Sequence, residues 1–219
     1  VGTVAMAVYT AGVLEATSVK VGFMNTDYDL AVETLNACKE ALEGFETKLI
    51  GSLFADNIMY GGLEPHHMNA IAKQTNCDGW LIDTLTKDGR NLFDFIREEE
   101  LRDMVFEGKE AGMSTALSGH LKMSDLDELA RINPDIVGVR GAVCQKGDRD
   151  ARVHWEPVSE FKRQLDLRQS GEIDVHGQKE KNGHVDTSKK NGSEWVIVDG
   201  TGKTCAGIIA ALSEQIEKD

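Results

Sequence analysis

The sequence predicts an α/β fold built on a parallel sheet. Three observations carry this. Short β-branched, apolar runs alternate strictly with segments of helical spacing. The runs are almost continuously apolar, as strands buried on both faces are. Each run is followed by a polar or glycine-rich loop. The pattern implies a sheet covered by helices on both faces. The loops at the carboxyl ends of the strands are where a (β/α) barrel or a doubly wound sheet keeps its chemistry.

The elements follow in order. VAMAVYTAGVLEA (4–16) is an alanine-rich helix and SVKVGFM (18–24) a β-branched strand. DYDLAVETLNACKEALEGF (27–45) has apolar residues at helical spacing and reaches Gly44 near its end. TKLIGSLFA (47–55) is the next strand. PHHMNAIAKQT (65–75) is a helix with Pro65 in its first turn, where a missing N–H costs nothing. GWLIDT (79–84) is a strand, and IREEELRDMVFEGKEAG (96–112) a helix stopped by Gly112. MSTALSG (113–119) is a strand. MSDLDELARIN (123–133) is a helix with Ser124 as N-cap. PDIVGVRG (134–141) is a strand and VSEFKRQLDL (158–167) a helix. From about 169 the chain turns polar and glycine-containing. EWVIVDGTGKTCAGIIAALSEQI then reads as one more strand, a glycine turn and a helix. The expected organisation is a catalytic domain over 1–168, a polar linker over 169–194 and an appended βα unit over 195–219.

Composition narrows the partners. The formal charge is −13, from 24 basic and 37 acidic residues. Such a surface repels nucleic acid and anionic membranes, so neither is expected as a partner. An anionic substrate needs a local basic pocket inside that negative field. The four cysteines are far apart and form no CxxC pair. A reducing, cytoplasmic compartment is the default expectation.

Three strand ends carry candidate chemistry. Lys20 lies between Val19 and Val21. In a buried strand it would lose hydration, which favours a neutral, nucleophilic or basic amine; the alternative is a lysine snorkelling at a strand edge. Asp83 ends its strand four residues before Lys87. The carboxylate can orient the amine or pass a proton, or it can simply close a turn. GVRGAVC (138–144) offers glycines for close backbone approach and Arg140 for phosphate. Lys146, Arg149 and Arg152 follow in a short loop. With the neighbouring SGH (118–120), Gly119 and Gly141 could present N–H groups to one phosphate, Arg140 and Arg149 supplying charge. The alternative is a solvated basic loop. DGTGKT (199–204) lacks the first glycine of a P-loop, because Ile197 stands there. His66 and His67, adjacent at a helix start, are expected to point apart. His154, His176 and His184 are isolated, so no metal site is expected.

In that order, SVKVGF, KLIGSLFAD, DGWLIDTLTKDGRNLFDF and STALSGHLKMSDLDELARINPDIVGVRGAVCQKGDRDARV resemble the (5-formylfuran-3-yl)methyl phosphate synthase family, from about residue 3 to about 167. The resemblance implies a TIM-barrel-like lyase of methanofuran biosynthesis. Such an enzyme condenses two glyceraldehyde 3-phosphate molecules into a furan aldehyde phosphate by lysine Schiff-base chemistry, without metal or organic cofactor. It implies Lys20 as a proton-transfer lysine and Asp83 with Lys87 as the Asp–Lys pair. The expected partner is a small phosphorylated substrate, and a homo-oligomer is expected.

One departure stands out. The family places its Schiff-base lysine in a DxKNP-like segment on an earlier strand, and that segment is absent here. The expectation is therefore a TIM-barrel-like (β/α) fold lacking its first strands, with a C-terminal βα appendage, either a fragment of a longer product or a chain without its nucleophile. A class I-type phosphosugar aldolase or isomerase, and a non-catalytic triose-phosphate-binding fragment, are the alternative functions.

Overall fold

The computed structural model describes residues 1–148, 150–175 and 194–196, with 146 and 194–196 as backbone only. The elements are α1 (Gly2–Val13), β1 (Ser18–Gly22), α2 (Tyr28–Ala41), β2 (Lys48–Phe54), α3 (His67–Gln74), β3 (Gly79–Asp83), α4 (Glu98–Glu110), β4 (Ser114–Leu117), α5 (Leu126–Ile132), β5 (Ile136–Gly138), α6 (Trp155–Gln169) and β6 (Glu194–Val196). All neighbouring strands pair in parallel, in the order β1-β2-β3-β4-β5-β6.

This order advances without reversal. Right-handed crossovers in one direction put successive helices on the same face of a sheet. The register agrees. Gly51, Trp80 and Thr115 are cross-strand partners. A Cβ on Gly51 would lie 2.6 Å from Met68 of α3, and one on Gly108 of α4 would lie 2.6 Å from the Trp80 indole. Glycine at both positions lets helix and sheet approach closely. Leu35, Leu49, Leu53, Met68, Trp80 and Ile82 fill the space between sheet and helices and are fully buried. The expected two-sided cover is thus corrected. Among the described residues the sheet is singly wound, as in a (β/α) barrel, and it is open. Its other face carries Lys20, Ile50, Ser52, Phe54, Leu81 and Asp83, the residues that alternate with the helix-facing set.

The two ends of the sheet differ. At the amino ends, acidic residues tie adjacent strands together. Asp78 accepts the Leu49 N–H at 2.8 Å and the Lys39 ammonium at 2.9 Å. Asp135 accepts the Thr115 N–H at 2.9 Å and its hydroxyl at 2.8 Å. A cavity of about 660 Å³ lies at this end, lined by Lys39, Glu43, Lys48 and Asp78 among others. It is remote from the strand carboxyl ends.

Local expectations fail in three places. Pro65 is not in the first turn of a helix. The N–H groups of His67 and Met68, the first residues of α3, bond back to the carbonyls of Glu64 and Pro65, so Pro65 lies in a tighter turn that runs into α3 two residues before the helix begins. Ser124 is not the N-cap. Residues Met123–Asp125 form a 3-10 turn, and the buried Asp125 carboxylate accepts the Lys122 N–H at 2.8 Å and the Asn91 amide at 3.1 Å. His66 and His67 do not point apart, their ring centroids being 4.2 Å apart. Beyond the backbone of β6, the expected C-terminal unit and the DGTGKT turn lie outside the described residues. Among the described residues no helix is long and apolar enough to cross a membrane.

Candidate active site

Strand β3 runs through Gly79, Trp80, Leu81 and Ile82, all buried, and emerges at Asp83. The Asp83 side chain is 14% exposed. Its Oδ1 accepts the Thr84 N–H at 2.7 Å, which fixes the carboxylate over the start of the loop. The Lys87 amine returns to the same point. It donates to the Thr84 carbonyl and, at 3.3 Å, to the Thr84 hydroxyl, and stands 3.6 Å from Asp83 Oδ1. That last separation is an ion pair rather than a hydrogen bond. Carboxylate and amine therefore share one strand end, with the amine partly open to solvent.

The loop that follows β2 braces this one. Asp56 is buried, and its two oxygens accept the N–H groups of Leu85 and Thr86, each at 2.7 Å. Burial alone would push the Asp56 carboxyl up. The Thr86 hydroxyl and the backbone N–H groups of Leu85, Thr86 and Asp56 outweigh that, and hold it below the ordinary carboxylate range. The Tyr60 and Thr86 hydroxyls lie 2.6 Å apart. The Ala55 N–H extends the ladder to the Asp83 carbonyl at 2.7 Å.

Across β4 and β5 lies the opposite wall. An open cavity of about 240 Å³ is lined by Phe54, Asp83, Thr84, Lys87, Ser118, His120, Arg140, Gly141 and their immediate neighbours. Gly119 has φ +121°, and a Cβ there would sit 2.8 Å from the Thr84 methyl, so two adjacent strand-end loops meet across a glycine. Gly138 similarly leaves room for Ser118, whose Cβ would be 3.0 Å from an added one. Gly141 opens a 3-10 turn through Val143.

Of the residues singled out in the sequence, Asp83, Lys87, Arg140 and Gly141 come together around this cavity. Gly119 does not line it; Ser118 and His120 do, on either side of it. Lys20 shares the sheet face of Asp83 but not its cavity. It pairs with Ile50, which pairs with Gly79, four residues short of Asp83. That is about 13 Å along the strand at the usual rise of about 3.3 Å per residue. Lys20 is exposed and lines a separate recess beside β1. β1 is the edge strand of the described sheet, so among the described residues Lys20 stands as the strand-edge lysine of the two readings the sequence offered. Arg149 lies outside the described residues.

Two residues escaped the sequence reading. His120 stands on the cavity wall in a left-handed conformation, φ 54°. Asp56 was inside a quoted motif but carried no role. Its one signal was position, since LFAD after β2 and LID in β3 both bring an aspartate to a strand end.

Parallel strands in sequential order, with a carboxylate, an amine and a guanidinium around one carboxyl-end cavity, define an α/β protein of the singly wound (β/α) class. A sequence model described as 4-HFC-P synthase matches residues 1–162. The chain belongs to the 4-HFC-P synthase family. It is 38% identical over 152 residues to the (5-formylfuran-3-yl)methyl phosphate synthase of Methanopyrus kandleri, covering 68% of this chain and 64% of that protein. The protein of the same name from Methanobrevibacter smithii is 37% identical over 169 residues, 75% of this chain and 71% of that one. That of Methanococcus maripaludis C7 is 37% identical over 164 residues, covering 73% and 70%. Among solved structures, a thiamine phosphate pyrophosphorylase from Pyrococcus furiosus is a distant likeness, with TM-score 0.37 and 13% identity, covering 75% of this chain and 90% of that one.

Proposed function

We propose that this chain carries part or all of a (5-formylfuran-3-yl)methyl phosphate synthase, condensing two glyceraldehyde 3-phosphate molecules and releasing phosphate and water. One observation carries the reading. In a member of this family, Asp83 and Lys87 face Arg140 and Gly141 across a single strand-end cavity. A guanidinium beside a glycine backbone suits a phosphate monoester. An amine held next to a carboxylate suits proton transfer at the carbon chain of the same molecule.

In this reading a lysine Schiff base acidifies the carbon next to the substrate carbonyl. The carbon–hydrogen electron pair then forms an enamine, and that carbon attacks the aldehyde carbon of the second triose phosphate. A hydroxyl oxygen closing on a carbonyl carbon forms the ring, loss of one phosphate and of water makes it aromatic, and hydrolysis of the imine returns the lysine as the free amine. Lys87 would serve the proton steps with Asp83 orienting it, and Arg140, Gly141 and Arg149 would hold a phosphate. Lys20 would act from the neighbouring level of the same sheet face, and Gly119 would keep the wall close to Thr84.

The test is product chemistry with the full-length gene product. Incubated with glyceraldehyde 3-phosphate, it should build a furan chromophore and free inorganic phosphate together. Carbon–carbon bond formation without phosphate release would replace this reading with a simple aldolase. Binding with no turnover would leave a triose-phosphate-binding protein.

A further inference from the structure

We propose that Asp56 is a positioning residue of this site, fixing residues 84–87 so that the Lys87 amine stays beside Asp83. The proposal deepens the functional reading above and takes from it only the assignment of the Asp83–Lys87 pair.

Asp56 is buried, and what holds its charge is hydrogen bonds, with Arg90 interacting with it only through space. A buried carboxylate is tolerated only when hydrogen bonds replace its water. Here the replacements come from another loop. Leu85 and Thr86, 29 and 30 residues further on, give it their N–H groups. These are the two residues immediately before Lys87. The Lys87 amine in turn rests on Thr84 rather than on a distant wall. Its direction is therefore set by the backbone between 84 and 87, the segment that Asp56 grips. The Tyr60–Thr86 contact and the Ala55–Asp83 bond hold the same two loops on either side. A carboxylate serving only its own turn would cap neighbouring N–H groups. Asp56 instead spans two strand ends and meets the loop that bears the reactive amine.

The experiment combines amide exchange, amine labelling and turnover. In the unmodified chain the Leu85 and Thr86 amides should exchange slowly; free exchange there overturns the proposal before any variant is made. Asp56→Asn keeps the volume but turns one acceptor into a donor facing an N–H. It should speed exchange at 85 and 86 by about tenfold or more, as loss of charge-assisted bonds from a local unit does. Amides of Leu53 and Ile82 should keep their protection. Trace acetylation with acetic anhydride, read by mass spectrometry against the exposed Lys73, should show altered Lys87 reactivity in the variant. Unchanged Lys87 labelling, with the loop loosened, would make Asp56 a purely structural residue and overturn the proposal. If Asp56→Asn does not fold, Thr86→Val, which removes only the hydroxyl bonds, should shift both readouts in the same direction by less. In the full-length enzyme, Asp56→Asn should lower kcat more than it raises KM. If the unmodified enzyme frees no phosphate, the functional reading fails, while exchange and labelling still decide the role of Asp56.

Discussion

At Asp83 and Lys87, four positions of sequence bring an acid and a base to one point, because the chain turns over Thr84 and the long lysine side chain folds back onto it. Lys87→Met keeps most of the length and removes the proton. It should lower kcat/KM of the full-length enzyme by about 10²–10⁴-fold, the usual worth of a general acid–base group, with the urea midpoint almost unchanged. An undiminished rate would take Lys87 out of the chemistry. Asp56 makes a different prediction. Its carboxyl is held below the ordinary range in the fold, against about 3.9 in an unfolded chain. A depressed carboxyl stabilises fully above the unfolded value, and that stability is lost as pH falls through the folded value. The stability gap between the unmodified chain and Asp56→Asn should therefore be flat from neutral pH to about pH 5, then close in more acid solution. Urea midpoints across that range check it; a gap already closing near pH 6 would mean another group is responsible. The pair at 83 and 87 was legible because both members lie within one loop. Asp56 was not, because its partners are about thirty residues away and appear only when two loops meet. The exposure of Lys20 was left open between two readings, because a strand's solvation depends on what flanks it, which an apolar pattern does not report.

Strands and helix interiors followed their periodicity, whereas their ends followed partners that the pattern does not contain. Ser124 looks like an N-cap, yet Asp125 stands at the N-cap of α5, and its carboxylate turns back to the Lys122 N–H and to the Asn91 amide of the preceding loop. Pro65 looks like a first helical residue, yet α3 begins two residues later, after a tighter turn that overlaps its start. Glycines divide the same way. Gly44, with φ +85° and open space around it, serves only to reverse the chain after α2. Gly119, with φ +121° and Thr84 against it, joins two strand-end loops. Gly44→Ala should cost about 1 kcal/mol from backbone strain alone. Gly119→Ala adds a steric contact that the Thr84 backbone cannot easily relieve, so it should cost more, up to about 3 kcal/mol. Urea denaturation of both variants reads the difference. Equal costs would mean that the loop after β3 yields freely, and that the wall of the cavity is softer than its packing implies.

For the whole molecule, alternation of strand and helix told parallel pairing but not winding. A barrel and a doubly wound sheet share that alternation, and only the unreversed strand order separates them. Charge acts at the same scale. The net charge of −13 surrounds a cavity whose wall includes Arg140 and Lys87. On the proposed function, a triose phosphate approaching from afar would meet repulsion before it meets those cations. Salt separates the two effects by distance. The screening length falls from about 30 Å at 10 mM to about 10 Å at 100 mM, so remote carboxylates fade first while a guanidinium in contact with phosphate is screened much less. Association of glyceraldehyde 3-phosphate should therefore quicken as salt rises over this range, with dissociation little changed. Stopped-flow binding to the full-length enzyme measures both rates. An association rate that instead falls steadily with salt would show that the local cations already dominate the field at long range, and that the acidic surface places no barrier before the site.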